Sequence, residues 1–181
     1  MIDIQKISLD SVRSLCERHH GYGSVGGVSV YAFGVIEPSG LVAAYAWQPP
    51  PPGAARAICP EAPQGVLALS RMVAVPRTER ILKHVSKPLR RQMKILIDRT
   101  RWPVLVTYSD EGLGHTGYVY QCSGWEPTAK AMRPVFLNAD AKRASSYSNG
   151  KSNDRDLVKS GTTTLQRWEH WACARGGARE W

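Results

Sequence analysis

The strongest constraint on what this chain can fold into lies in residues 103–125, PVLVTYSDEGLGHTGYVYQCSGW. Val104, Leu105, Val106, Thr107 and Tyr108 make a β-branched and aromatic run that suits a buried strand, and Ser109 and Asp110 end it abruptly. Gly112, Gly114 and Gly117 then interrupt any regular element, with His115 and Thr116 between them. Tyr118 and Tyr120 follow on a short helical segment closed by Gly124 and Trp125. A strand with a polar end, a glycine loop and a tyrosine-bearing helix put loop chemistry on rigid supports. The remainder of the chain is expected to hold this corner in place.

The other elements support that expectation. Leu9, Val12 and Leu15 recur at helical spacing in residues 1–20, with Ser8 or Asp10 near the helix start and His19-His20-Gly21 at its end. Residues 27–37 and 41–47 are valine- and aromatic-rich runs separated by Pro38-Ser39-Gly40, which reads as a β-hairpin. Residues 48–65, rich in proline, glycine and alanine, read as a long exposed loop with a stiff start. VLALSRMVAV, residues 66–75, is a third strand. Its Arg71 demands a partner or a wet cleft, because a buried unpaired charge is costly.

Pro76 and Arg77-Thr78-Glu79-Arg80 lead into a helix whose apolar face is Val85, Leu89, Met93 and Leu96, with Lys87, Arg90, Arg91 and Lys94 off it. Pro88 fits a first helical turn, which makes Ser86 the expected cap. A helix start beyond a basic turn suits a phosphate. Residues 133–137 suit a further strand. The expected organisation is a catalytic domain over 1–137 and a basic, turn-rich extension over 138–181 that packs on the domain or contacts DNA. Trp168 and Trp171 lie in that extension among basic residues.

The formal net charge of +9 favours a polyanionic partner. Cys16, Cys59, Cys122 and Cys173 form no CxxC pair, which disfavours zinc or a disulfide framework. No apolar run is long enough for a membrane span, and the start MIDIQKISLD lacks signal-peptide character. The expected location is the cytoplasm, a host's cytoplasm if the chain is phage-encoded.

Helix, hairpin, long strand, basic loop, helix, strand, short helix and strand, in that order, resemble the GNAT N-acetyltransferase fold. VAVPRTER resembles that superfamily's cofactor-binding strand and pyrophosphate loop, and Tyr120-Gln121-Cys122-Ser123-Gly124-Trp125 resembles its Tyr-x-x-x-Gly-aromatic ending. Ile81, Leu82 and Lys83 stand where the superfamily carries loop glycines. A narrower likeness is closer. LSRMVAVP followed by TYSDEGLGHTGYVYQCSGW resembles the phage Mom-type DNA modification proteins, which pair a Leu-x-Arg strand with a Tyr-x-Asp loop, Gly-His-x-Gly, Tyr-Gln and a final aromatic. The likeness covers roughly residues 65–130. It implies an α+β, three-layer, GNAT-like fold with a mixed, mostly antiparallel central sheet flanked by helices. It also implies a transferase that adds a carbamoylmethyl-type group to the exocyclic amine of adenine in double-stranded DNA, against host restriction. An acetyl-CoA-like acyl donor and an iron ion are the implied cofactors, and a homodimer is compatible with it. The competing readings are an acyl-CoA-dependent N-acetyltransferase acting on a small amine or protein, and a non-catalytic basic DNA-binding protein.

The residues fit such roles with bland alternatives beside them. Asp110, at a strand edge, can accept a proton or ligate a metal, or merely cap the following turn. Tyr120 can protonate a leaving thiolate under the GNAT likeness, or simply fill the core. Arg71 can hold the donor or a phosphate, or sit in a structural ion pair. Ser109 and Tyr108 flank Asp110 and join the candidate catalytic set. The candidate donor-binding residues are Met72, Val73, Val75, Arg77, Arg80 and Ser86. His19 or His20 with Asp110 would make a histidine–carboxylate iron site. Tyr22, Tyr118 and Trp125 are candidate walls for a base, and His115 for orienting Asp110 or touching DNA. Adenine's amine is a poor nucleophile, so close positioning and proton removal are both required, and the base must leave the stack.

Overall fold

A computed structural model describes residues 3–20, 29–76, 81–98, 102–137, 143–144 and 158–172. In chain order they form β1 (Asp3–Lys6), α1 (Leu9–His19), β2 (Tyr31–Glu37), β3 (Gly40–Gln48), α2 (Pro52–Ile58), β4 (Val66–Ala74), α3 (Ile81–Asp98), β5 (Val104–Asp110), α4 (Tyr118–Cys122), β6 (Glu126–Leu137), β7 (Arg143–Ala144) and β8 (Val158–Trp171). One eight-stranded sheet runs β1-β2-β3-β4-β5-β8-β6-β7. All neighbours are antiparallel except β4 and β5. This is the mixed, mostly antiparallel architecture that the GNAT likeness implies.

Helices cover both faces. α3 lays Val85, Leu89, Met93 and Leu96 onto Tyr45, Trp47, Leu67 and Leu105, the helical face legible in the sequence. Each such burial contributes on the order of 1.5–3 kcal/mol. α1 packs Val12, Leu15 and Cys16 on Ala44, Ala46 and Val73 of the opposite face, where α2 adds Ala55 and Ile58 over Val66, Ala68, Val104 and Val106. Ser8 caps α1, accepting from the Ser11 N–H.

Three expectations need correction. Residues 48–65 contain α2, whose Ala55 and Ile58 are buried, so the segment is not a bare exposed loop. α3 begins at Ile81, which places Ser86 and Pro88 in its interior. Pro88 removes one ladder donor, and in the same turn the Tyr45 hydroxyl donates to the Val85 carbonyl (2.9 Å) and Ser123 to that of Ser86 (3.3 Å). Finally, β8 lies between β5 and β6, so the sheet does not divide after residue 137. Trp168 is buried within it. Tyr22, Arg77, Arg80 and Cys173 lie outside the described residues. No described helix is long and apolar enough to cross a membrane.

Candidate active site

β4 and β5 pair only from Val66–Ala68 to Val104–Val106. Beyond that rung β4 stays bonded to β3 as far as Ala74, and β5 to β8 as far as Asp110. The strands therefore part in the middle of the sheet. Two side chains mark the parting: the Thr107 hydroxyl takes the Leu69 carbonyl at 3.1 Å, and Ser70 donates to Ala46 at 3.0 Å beside a bulge in the β3–β4 pairing. A bulge bends its strand, so β4 turns away from β5. Among the described residues β4 beyond Ala68 and β5 beyond Val106 form no strand pairing with each other, which leaves a template for an extended ligand.

Tyr120 stands at the vertex of that opening. α4 begins after Gly117 in the left-handed region (φ 75°), and its single turn drives Tyr120 into the core. There the ring meets Trp125 edge-on at 6.0 Å and Trp168 at 5.9 Å. Burial raises the phenol's pKa, and a hydrogen-bond interaction with Thr107 pulls it partly back. The group is thus a protonated donor beside the residue where the strands separate.

The loop after β5 is fastened from below. Asp110 is buried, and its Oδ1 accepts from the Gly112 N–H (3.0 Å) and from the Thr163 hydroxyl of β8. Thr163 in turn accepts from the same N–H at 3.1 Å. Side chains alternate along β5, and the Thr107 and Ser109 face carries Tyr120 and Trp168 while Asp110 points to the other face with Thr163. Asp110 and Tyr120 therefore do not face each other across one pocket. The cavity at this corner, about 460 Å³, is lined instead by Ser109, Glu111, His115, Lys130, Gln166 and Trp168, with Gly114, Thr116 and Pro127. Trp168 donates its indole N–H to Ser109 (2.9 Å), and Lys130 pairs with Glu111 at 2.6 Å.

Arg71, half-buried, shares the face of Val73 and Ala46 and donates to the Ser70 carbonyl at 2.6 Å. Its guanidinium acts on His20: burial, then Arg71, then His115 push His20 down to about 4. Burial pushes the Cys16 thiol up to about 11, which suits packing rather than reactivity. His20 thus lies within electrostatic reach of Arg71 and His115, while His19 is exposed at the end of α1. Among the described residues no group of three His, Cys, Asp or Glu side chains could hold a metal ion. The expected His19/His20/Asp110 set is not assembled.

The remaining expectations divide. Trp125 is buried, stacked on Trp47 at 6.3 Å, and is a core residue rather than a wall open to a base. Tyr118 is 55% exposed. Tyr108 lies on the Asp110 face, where burial raises its phenol against the pull of Arg167 and Arg133. Met72 packs against the α3 core, Val73 against α1, and the Val75 N–H donates to Val42. Ser86 is buried inside α3 rather than capping it. Thr107, Lys130, Gln166 and Glu111 are not among the site residues the sequence suggests, whereas Trp168, expected to pack on the domain or to meet nucleic acid, packs in the core cluster. For Trp168 and Gln166 the signal was present: TTTLQRWEHW has the β-branched and aromatic character of a strand.

Comparison with known proteins agrees with this fold. An IAA acetyltransferase from Bacillus cereus superposes with a TM-score of 0.57 at 10% identity, covering 94% of this chain and 99% of that one. The ribosomal-protein-S18-alanine N-acetyltransferase from Escherichia coli gives 0.53 at 10%, covering 100% of both chains. An aminoglycoside 6'-acetyltransferase type Ii gives 0.57 at 11%, covering 96% and 99%. These likenesses establish the fold. No curated protein matches the sequence. The model of the Mom protein family matches residues 1–176.

Proposed function

The chain belongs to the Mom protein family, and on that premise we propose that it is a transferase that modifies adenine in double-stranded DNA. The group is of the carbamoylmethyl type and is placed on the exocyclic amine, protecting the DNA from restriction. The observation that carries this reading is the protonated Tyr120 phenol at the parting of β4 and β5, next to a cavity of about 460 Å³. One opening serves a donor and the other a base.

The β4 edge beyond Leu69 suits an extended acyl-CoA-type donor, because among the described residues it forms no strand pairing with β5. A carbamoylmethyl group is joined to the amine through its methylene, so the donor bound there would carry its leaving thiolate on that methylene. An ordinary acyl thioester would leave an amide on the amine instead. Tyr120 is the group placed to give a proton to that thiolate. The cavity's indole and proline surfaces, from Trp168 and Pro127, suit an unstacked base, while Ser109, Glu111 and Gln166 offer polar edges. His115, on the same wall, is the imidazole placed to take the amine's proton. Asp110 acts by holding the loop that carries His115, whose N–H donates to the Asp110 carbonyl at 3.2 Å. Iron is not supported by the described residues, among which no group of three His, Cys, Asp or Glu side chains could hold a metal ion.

The test is direct. The protein is expressed with a resident plasmid, the DNA is digested to nucleosides, and deoxyadenosine is examined by mass spectrometry. The expected result is a heavier deoxyadenosine with the increment of a carbamoylmethyl group, and resistance of the plasmid to adenine-sensitive restriction. Tyr120→Phe should abolish the shift while costing only about 1 kcal/mol of stability, the worth of one hydrogen bond. Unmodified DNA from cells rich in folded protein would redirect the reading to a small-amine acyltransferase, which the same cavity would accommodate.

A further inference from the structure

β5 pairs with β8 only as far as Asp110–Leu165, yet β6 and β8 remain paired from there out to Leu137–Val158. The pair therefore projects beyond the end of β5. Among the described residues its first four rungs, Met132–Thr164 to Val135–Gly161, have no third strand, and β7 joins only at Phe136 and Leu137. At about 3.3 Å per residue the six residues from Met132 to Leu137 span about 20 Å. Residues 131–134 and 158–162 are exposed, including Met132 at 73% and Val158 at 67%. A bare apolar and hydroxyl-rich ribbon in water is unusual unless something covers it.

Its charge indicates the covering. Over 131–137 and 158–164 the charged residues are Arg133 and Lys159, with no carboxylate. Arg133 pairs with Thr163, whereas Lys159 pairs with Phe136 beyond a bulge at Val135/Phe136. Side chains on paired residues share a face and successive ones alternate, so the two cations lie on opposite faces. Ser160, Thr162 and Thr164 add hydroxyls. A two-stranded ribbon with a cation on each face matches the major groove, which is about 12 Å wide and walled by phosphate on both sides.

We propose that the β6–β8 ribbon enters the major groove of the DNA duplex and holds it beside the cavity. The ribbon's root is the cavity's own wall, because Lys130 and Gln166, a pair on the same two strands, line it. A duplex gripped by Arg133 and Lys159 is thereby delivered to Ser109, His115 and Trp168. This role rests on the DNA-modifying reading above for its choice of polyanion, and adds the surface that reads the duplex.

Binding of a fluorescein-labelled duplex by the full-length protein, measured by anisotropy across salt concentrations, tests it. Arg133→Ala with Lys159→Ala should lower the slope of log affinity against log salt by about two and weaken binding about tenfold, for any sequence. Lys94→Ala, an exposed cation on α3, should leave the slope unchanged. Netropsin, which fills the minor groove, should not displace the wild-type protein. A double variant with the wild-type slope, or displacement by netropsin, overturns the ribbon's role. A wild type that modifies plasmid adenine alongside a double variant that binds normally removes the ribbon and keeps the transferase. Loss of binding in the double variant without any modified nucleoside does the reverse.

Discussion

Asp110 separates chemistry from architecture. Its Oδ1 holds both the Gly112 N–H and the Thr163 hydroxyl, so its measurable work is to fix the loop that follows. Asp110→Ala should cost about 1–2 kcal/mol, as the loss of a cap does, and should lose activity because the loop carrying His115 loosens. Asp110→Asn keeps an acceptor oxygen, and should recover most of the nucleoside mass shift and of the thermal stability. An inactive but fully stable Asn variant would return Asp110 to the role of a charged base. His20 offers a pH readout. Its folded value, near 4, lies below the ordinary 6.5. Between those values the unfolded chain binds a proton that the folded chain refuses, so stability falls as pH drops through 6.5 and levels off below about 4. His20→Gln should flatten that loss, which amounts to no more than about 3.5 kcal/mol by linkage. Urea titrations of both proteins at pH 7 and pH 5 would show it. Sequence reading identified both residues as polar groups near a site, but not their neighbours. Hydrogen bonds from Thr163, and charge from Arg71 and His115, come from chain positions 50 or more residues away.

At the scale of elements, the contact between α4 and β8 governs the corner. A Cβ on Gly117 would lie 2.1 Å from the Trp168 ring, and its φ of 75° already disfavours a side chain. Gly114 has a similar φ of 73° but open space around it. Gly117→Ala should therefore cost about 3 kcal/mol or more, combining backbone strain with overpacking, and should displace Trp168 from Ser109 and from Tyr120. Gly114→Ala should cost only about 1–2 kcal/mol. Thermal melts of the two variants, with near-ultraviolet circular dichroism to follow the tryptophans, distinguish these outcomes. Equal losses would mean that the indole yields easily. The sequence marked this whole loop as glycine-rich, and α3 could be read from its 3.6-residue apolar rhythm. What it did not mark was which glycine faces an indole, because Trp168 is distant in sequence and arrives through β8. The start of α3 was misplaced for a related reason. Pro88 argues locally against a helix interior, but buried hydroxyls from Tyr45 and Ser123 meet carbonyls in the turn it weakens.

The whole molecule depends on β8. Its residues Leu165–Trp171 pair with the full length of β5, and Val158–Glu169 with β6, so it closes the sheet on the far side of the β4–β5 opening. Trp168 packs against Tyr120 and inside the main cluster, while Glu169, buried, gathers Arg167 (2.9 Å), the Thr128 hydroxyl (2.9 Å) and the Trp171 N–H (2.9 Å). Composition places a boundary after residue 137, since the turn-rich serine and asparagine run that follows has the character of a tail. Composition reports local propensity, whereas the place of a strand in a sheet is set by long-range pairing. The consequence is that a chain ending at Leu137 would expose the β5 edge and remove a wall of the core around Tyr120. Such a fragment should show no cooperative melt and should aggregate when expressed alone, because β5 would present an unpaired apolar edge. Adding residues 158–176 as a separate peptide should restore a cooperative transition and tryptophan burial, if β8 can pair in trans. A fragment 1–137 that melts cooperatively by itself would show that the core around α3 and β1–β4 folds independently, and that β8 is an addition to it rather than its completion.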